Sequence, residues 1–150
     1  RGENMIKISE SAALAIHTVS LLTRYPSRRF SNKEISGLLG CSLNTLSKVL
    51  QRLTKAGLID SLRGPTGGFS LACDPDASNA LQVFEAMDGV LPPCSDAECL
   101  LGDNSCLERS CILGGLVANV HRMFLKTLRD TTLSELATSM KLGDSKYGNP

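Results

Sequence analysis

The 150-residue chain has no tryptophan, two tyrosines and four phenylalanines. That scarcity argues against the aromatic platforms on which single-stranded nucleic acid stacks. It has two histidines, no nucleophile–base arrangement and no phosphate-binding glycine loop, so no enzyme chemistry is expected. No apolar run approaches membrane-spanning length, and no basic leader precedes an apolar core. Neither a membrane partner nor a secretion signal is therefore expected, and the expected location is cytoplasmic. The four residues ahead of Met5 read as a lead-in. There are no repeats and no low-complexity tracts, which leaves one ordinary domain, or a small domain with an appendage.

What is present starts with an apolar fraction of 42%, enough for a core without covalent staples. The net charge of +1 conceals an asymmetry. Residues 1–72 carry ten Lys/Arg against four Asp/Glu, whereas residues 73–150 carry six against eleven. The first half suits a polyanion and the second does not.

The pattern is mostly helical. "ISESAALAIHTVSLL" places Ile8, Ala12, Ala15, Ile16, Val19 and Leu22 at helical spacing, and "YPSRRF" ends that helix. Ser31 followed by Glu34 forms a capping-box signature for a short helix that stops at Gly40. Ser42 caps the next helix, "LNTLSKVLQRLTKA", which ends at Gly57. Its buried stripe is expected to be Leu43, Leu46, Val49, Leu50 and Leu53. Two short apolar segments, 58–62 and 69–72, flank a Gly/Pro/Thr turn and predict a hairpin. Two helices, a tight turn between them and a hairpin make a winged helix-turn-helix. "NALQVFEAMDG" then predicts a short helix, and "CILGGLVANVHRMFLKTLRD" a long one with Leu113, Leu116, Val117, Val120, Phe124 and Leu128 on one stripe. A last short helix is capped by Thr132 or Ser134.

On the second helix of the pair, Asn44, Ser47, Lys48, Gln51 and Lys55 share the exposed face, with Thr45 and Arg52 at its margins and Ser42 at its cap. Amide side chains pair with adenine, and lysine donates to guanine or phosphate. Arg63 tops the hairpin turn, where a long cation reaches a minor groove or a phosphate. Gly64, Thr66 and Gly67 complete that turn and let the backbone approach a duplex closely. A polar helix face is also what any solvated helix shows; the hairpin and the charge balance favour double-stranded DNA. One small domain has a small footprint, so a homodimer on a palindromic operator is expected, with the long helix as its contact.

Four of the six cysteines fall in one stretch, Cys94-x4-Cys99-x6-Cys106-x4-Cys111. The paired C-x2-C knuckles of common zinc sites are missing. Thiolates spread over a polar loop suit a larger object, and their softness suits iron–sulfur or zinc. Disulfides and free thiols remain open on spacing alone. Cys41 and Cys73 lie outside the stretch, and Cys41 reads as a small packed residue.

The segment "SLNTLSKVLQRLTKAGLIDSLRGPTGGFSLA" resembles the winged-helix signature of the Rrf-two family of bacterial transcription regulators, and "ECLLGDNSCLERSCIL" resembles the loop of its iron–sulfur members. The likeness runs from about Lys7 to Leu136. It implies that Cys99, Cys106 and Cys111, with Glu98 ahead of them, hold an iron–sulfur cluster, 2Fe–2S or 4Fe–4S, of a kind often lost on exposure to oxygen. It implies that Arg63 enters a minor groove and that Asn44 and Ser47 read bases. Ser47 stands where some relatives carry an acidic residue, so their operator is not shared. For the fourth ligand, Gly114 and Ala13 occupy positions where other members carry a histidine and a carboxylate; Cys94 is the favoured substitute and His17 the second. His121 reads as an ordinary helix residue.

The expected organisation is a winged helix-turn-helix at 5–75, a connecting helix at 76–91, a cysteine loop at 92–111, and a dimerisation helix with a C-terminal helix at 109–140. The expected function is a dimeric transcriptional repressor or dual regulator governed by a cluster that senses redox state, nitric oxide or cluster supply. Two alternatives stand beside it: a thiol–disulfide sensor of the same fold, and a partner-binding module for a cysteine-biosynthesis or cluster-assembly enzyme.

Overall fold

Small polar residues start five of the helices. Ser9, Ser31, Ser42, Asn79 and Thr132 each sit in extended backbone and accept a hydrogen bond from an amide of the helix they open. Each satisfies one of the donors that a helix start leaves without an internal partner. The resulting order, in a computed structural model that describes residues 8–90 and 112–141, is α1 (Glu10–Arg24), α2 (Asn32–Leu39), α3 (Leu43–Lys55), β1 (Ile59–Leu62), β2 (Gly68–Leu71), α4 (Ala80–Asp88), α5 (Ile112–Asp130) and α6 (Leu133–Ser139).

The core is built on α1. Ala12, Ala15, Val19 and Leu21 are fully buried, and Leu22 nearly so. Against them pack Ile35 of α2, Leu46, Leu50 and Leu53 of α3, Val83 and Phe84 of α4, and Leu133 of α6. Thus α4 and α6 share one core with the helix-turn-helix. The burial of α1 is wider than its apolar spacing predicts. Thr18 and Ser20 are buried as well, because their hydroxyls donate to the Leu14 and Ile16 carbonyls one turn back. Such back-bonding removes the penalty of burying a hydroxyl.

Two expected core residues are not in the core. Ile8 precedes the helix and is 49% exposed, and Leu43, the first residue of α3, is 44% exposed. At a helix start the side chain has no preceding turn to lie against, so matching the stripe does not guarantee cover. Along α5, Phe124 meets Phe84 edge-to-face at 5.7 Å, and Leu128 packs on the core, but Leu116 and Met123 face outward.

β1 and β2 pair antiparallel, Ile59 opposite Leu71 and Leu62 opposite Gly68. The hairpin is tied to the body by Phe30, which exchanges both backbone hydrogen bonds with Phe69, at 3.0 and 2.8 Å. Phe30 itself is buried, with Tyr25 edge-on to its ring and the Arg28 guanidinium over its face. Arg29 adds a second tie, donating to the Gly68 carbonyl and to Asp60. Gly68 has φ +135, and a Cβ there would lie 2.8 Å from the Phe30 carbonyl oxygen. Only glycine meets both conditions without strain.

Two outcomes follow from this packing. Gly68→Ala should cost about 1–3 kcal/mol in urea unfolding, through backbone strain at the point where the hairpin joins the body. Glu34 accepts from the Ser31 amide, and from Arg28 at 3.0 Å. Those contacts, the Ser31 backbone bond first, hold its carboxyl below the ordinary value of 4.5. A depressed pKa means that the stabilisation is complete above pH 4.5 and is lost as pH falls through the folded-state value. Glu34→Gln should therefore lower stability at neutral pH and flatten the acid limb of a stability-against-pH curve.

Candidate nucleic-acid interface

The exposed face of α3 and the hairpin lie on either side of a cleft of about 500 Å³, lined by Asn32, Ser47, Gln51, Lys55, Ser61 and Phe69 among others. Of the expected contacts, Ser47, Gln51 and Lys55 line it; Asn44 and Lys48 are exposed on the same helix, and in the hairpin turn Arg63, Gly64 and Thr66 are exposed and Gly67 is half-buried. A duplex with one element in its major groove and another in the adjacent minor groove must run a sugar–phosphate strand between them. The cleft is where such a strand would pass. Lys48, Lys55 and Arg63 have no ion-pair partner among the described residues, whose carboxylate pairs involve Arg28, Arg29 and Lys126. Their charge is left for an outside anion.

The turn that carries Arg63 is shaped by its glycines. A Cβ on Gly67 would stand 2.2 Å from the Leu62 carbonyl oxygen. The hairpin thus closes tightly, and the arginine is set at the outer end of a short, buttressed strand pair.

Several residues of the expected reading face are also bonded within the fold. The Ser42 hydroxyl donates to the Thr45 hydroxyl and accepts the Thr45 amide. The Ser47 hydroxyl donates to the Leu43 carbonyl at 2.7 Å and accepts from the Asn32 amide at 2.8 Å. Ser47 thereby locks the start of α2 to the middle of α3. Arg52 turns from the cleft and donates to the Met87 carbonyl at 2.7 Å, joining α3 to the end of α4. Asn44, by contrast, is exposed, and its amide makes no side-chain hydrogen bond among the described residues.

Asn32 is a cleft residue that sequence reasoning missed. Its Nδ2 is committed to Ser47, and its Oδ1 is buried without a hydrogen-bond partner. Lys33 beside it is exposed. The available signal was position: the first turn of the leading helix of a helix-turn-helix lies beside the DNA backbone.

The expected cluster ligands Cys94, Cys99, Cys106 and Cys111 lie outside the described residues. Among the described residues no group of three or more His, Cys, Asp or Glu side chains is disposed to hold a metal ion. Cys41 and Cys73 are half-buried free thiols, Cys73 donating to the Leu58 carbonyl at 3.6 Å. His17 is exposed on α1, and its Nδ1 lies 2.7 Å from the Ala13 carbonyl oxygen. A carbonyl accepts only, so Nδ1 carries the proton and Nε2 is the unprotonated nitrogen of the neutral ring. His121 is half-buried, and its Nε2 has no partner among the described residues. None of the described helices is long and apolar enough to cross a membrane.

Comparison with known proteins agrees with this geometry. The model of the Rrf2 family, described as iron-dependent transcriptional regulators, matches residues 8–139. The chain is 32% identical over 111 residues to the HTH-type transcriptional regulator NsrR of Halalkalibacterium halodurans, covering 73% of this chain and 74% of that one. It is 32% identical over 111 residues to IscR of Yersinia pseudotuberculosis, covering 73% and 65%. The solved structure of CymR, the global cysteine regulator of B. subtilis, superposes with a TM-score of 0.75 at 23% identity, over 91% of this chain and 99% of that one. A recognition helix beside a buttressed wing, on a chain whose relatives are transcriptional regulators and not enzymes, leads to one conclusion: the chain belongs to the Rrf2 family of winged-helix transcriptional regulators.

Proposed function

We propose that this regulator binds a palindromic operator as a homodimer, as a repressor or dual regulator, and that an iron–sulfur cluster held by residues 94–111 sets its affinity. The observation that carries the DNA part is the cleft between α3 and the hairpin, lined by Gln51 and Lys55, with Lys48 exposed on the same helix and Arg63 exposed in the hairpin turn, all three cations outside the ion pairs of the described residues. In this reading α3 lies in the major groove with Asn44 and Gln51 at base edges, and Arg63, Gly64, Thr66 and Gly67 meet the adjacent minor groove. Ser42, Thr45, Ser47 and Arg52 act mainly by holding α3 in place.

The dimer part rests on α5. Leu116 is 57% exposed and Met123 69% exposed, seven residues apart on one helix face. A second copy would cover them and double the footprint on DNA, at a spacing set by the dimer.

The cluster part rests on the donor set. Cys99, Cys106 and Cys111 supply three thiolates, and the family description names iron. Cys94 is the favoured fourth donor. His17 is the second candidate, and its ring is suited to ligation, because the proton held on Nδ1 by the Ala13 carbonyl leaves Nε2 able to bind a metal. When bound, a cluster supplies thiolate-ligated iron that oxidants and nitric oxide attack. The chain's own residues supply a route from that loop to the DNA face. α5 begins one residue after Cys111, packs through Phe124 on Phe84 of α4, and the end of α4 is bonded through Met87 to Arg52 of α3. A signal shifts DNA affinity only if the two arrangements of that route bind DNA differently.

Two experiments test the reading. Protein kept anaerobic should contain iron and sulfide and show visible charge-transfer bands, and Cys106→Ala should abolish both while keeping the far-ultraviolet dichroism of the wild type. Iron-free protein that forms one specific Cys–Cys crosslink on oxidation would instead favour a thiol–disulfide sensor. Arg63→Ala should weaken operator binding by about 1–3 kcal/mol and reduce the salt dependence of the binding constant by about one counterion.

A further inference from the structure

Leu43 opens α3 and is 44% exposed, although it continues the stripe of Leu46, Val49, Leu50 and Leu53, all of them buried. Those four residues fill the core behind the helix, so Leu43 is not needed there. The polar groups around it are largely committed. The Ser42 hydroxyl donates to the Thr45 hydroxyl, and the Ser47 hydroxyl donates to the Leu43 carbonyl and accepts from the Asn32 amide. The tip of the recognition helix therefore presents a free amide, Asn44, beside an apolar side chain, Leu43.

We propose that Leu43 is a specificity-determining residue that packs on the 5-methyl group of a thymine in the major groove. The inference rests on the operator-binding reading and deepens it. The first residues of a recognition helix are those that reach base edges. Among the groups that base edges present in the major groove, the thymine methyl is apolar, and the others are hydrogen-bond donors or acceptors. A leucine pressed on a donor or acceptor removes water and returns no hydrogen bond. Pressed on a methyl, it gains the burial of both groups. Asn44 next to it is free to pair with adenine, so the tip selects an A·T-containing step. The Ser42 and Ser47 hydroxyl protons, which could have admitted a guanine or cytosine by rotating, are already given to Thr45 and to the Leu43 carbonyl.

The test uses the full chain. An operator is selected from random duplexes, and each thymine of the best duplex is then replaced by uracil, which removes the methyl and keeps the base pair. In wild type, uracil at one thymine of each half-site should weaken binding about fourfold, the worth of one buried methyl. Leu43→Ala should bind the thymine and uracil duplexes equally, and Leu43→Met, which keeps an apolar reach, should retain the preference. In cytosine-for-thymine duplexes, 5-methylcytosine at that position should bind wild type better than cytosine. Uracil tolerated at every thymine by wild type overturns the role of Leu43 and leaves the operator reading standing. The same holds if the methyl effect survives undiminished in Leu43→Ala. Absence of any sequence-selective, salt-dependent binding by wild type overturns the operator reading, and the role of Leu43 with it.

Discussion

The burial of α1 is the constraint on which the rest of the molecule depends. Ala12, Ala15, Val19, Leu21 and Leu22 are the surface against which the helix-turn-helix, α4 and α6 are all placed. Small residues at 12 and 15 let neighbouring helices come close, and the hydroxyls of Thr18 and Ser20 stay buried because the α1 carbonyls satisfy them. A helix buried on so much of its circumference cannot rotate or shift without opening the core. The relative positions of α2, α3 and α4 are set by that rigidity.

The wing is positioned by a different kind of interaction. Its two strands are too short to stand alone. They are held by the Phe30–Phe69 backbone pair, by Arg29 bridging Gly68 and Asp60, and by the Phe30 ring buried under Tyr25 and Arg28. The cleft between wing and recognition helix thus has one wall fixed by apolar packing and the other by hydrogen bonds. This lets an exposed element keep a defined distance from α3, which a two-groove reader of DNA requires.

Much of this was legible in advance. Ser31 with Glu34, Ser42, Gly40 and Gly57 mark boundaries of α2 and α3 through local chemistry that needs no tertiary partner. The helical spacing of Leu46, Val49, Leu50 and Leu53 marked the buried face of α3 for the same reason. What was not legible was how side chains at the margin of that face would be used. Ser47 and Arg52 look like DNA contacts on a helical wheel, yet one is bonded to Asn32 and the other to the Met87 carbonyl. Residues fifteen and thirty-five positions apart met only once the helices had packed. Leu43 fits the core stripe by spacing and lies outside it in space.

The sequence by itself determined the family, the order of elements, the helix caps, the basic character of the first half and the clustering of cysteines at 94–111. Each of these is a property of neighbouring residues or of composition, and the physics that reads them is short-range. Only the tertiary structure decided which polar groups on α3 remain free, that α4 and α6 share the core of the winged domain, that the wing hangs on Phe30, and that Leu43 stands exposed beside Asn44. Those outcomes depend on groups far apart in the chain competing for the same hydrogen bonds and the same buried volume, and that competition is settled by packing.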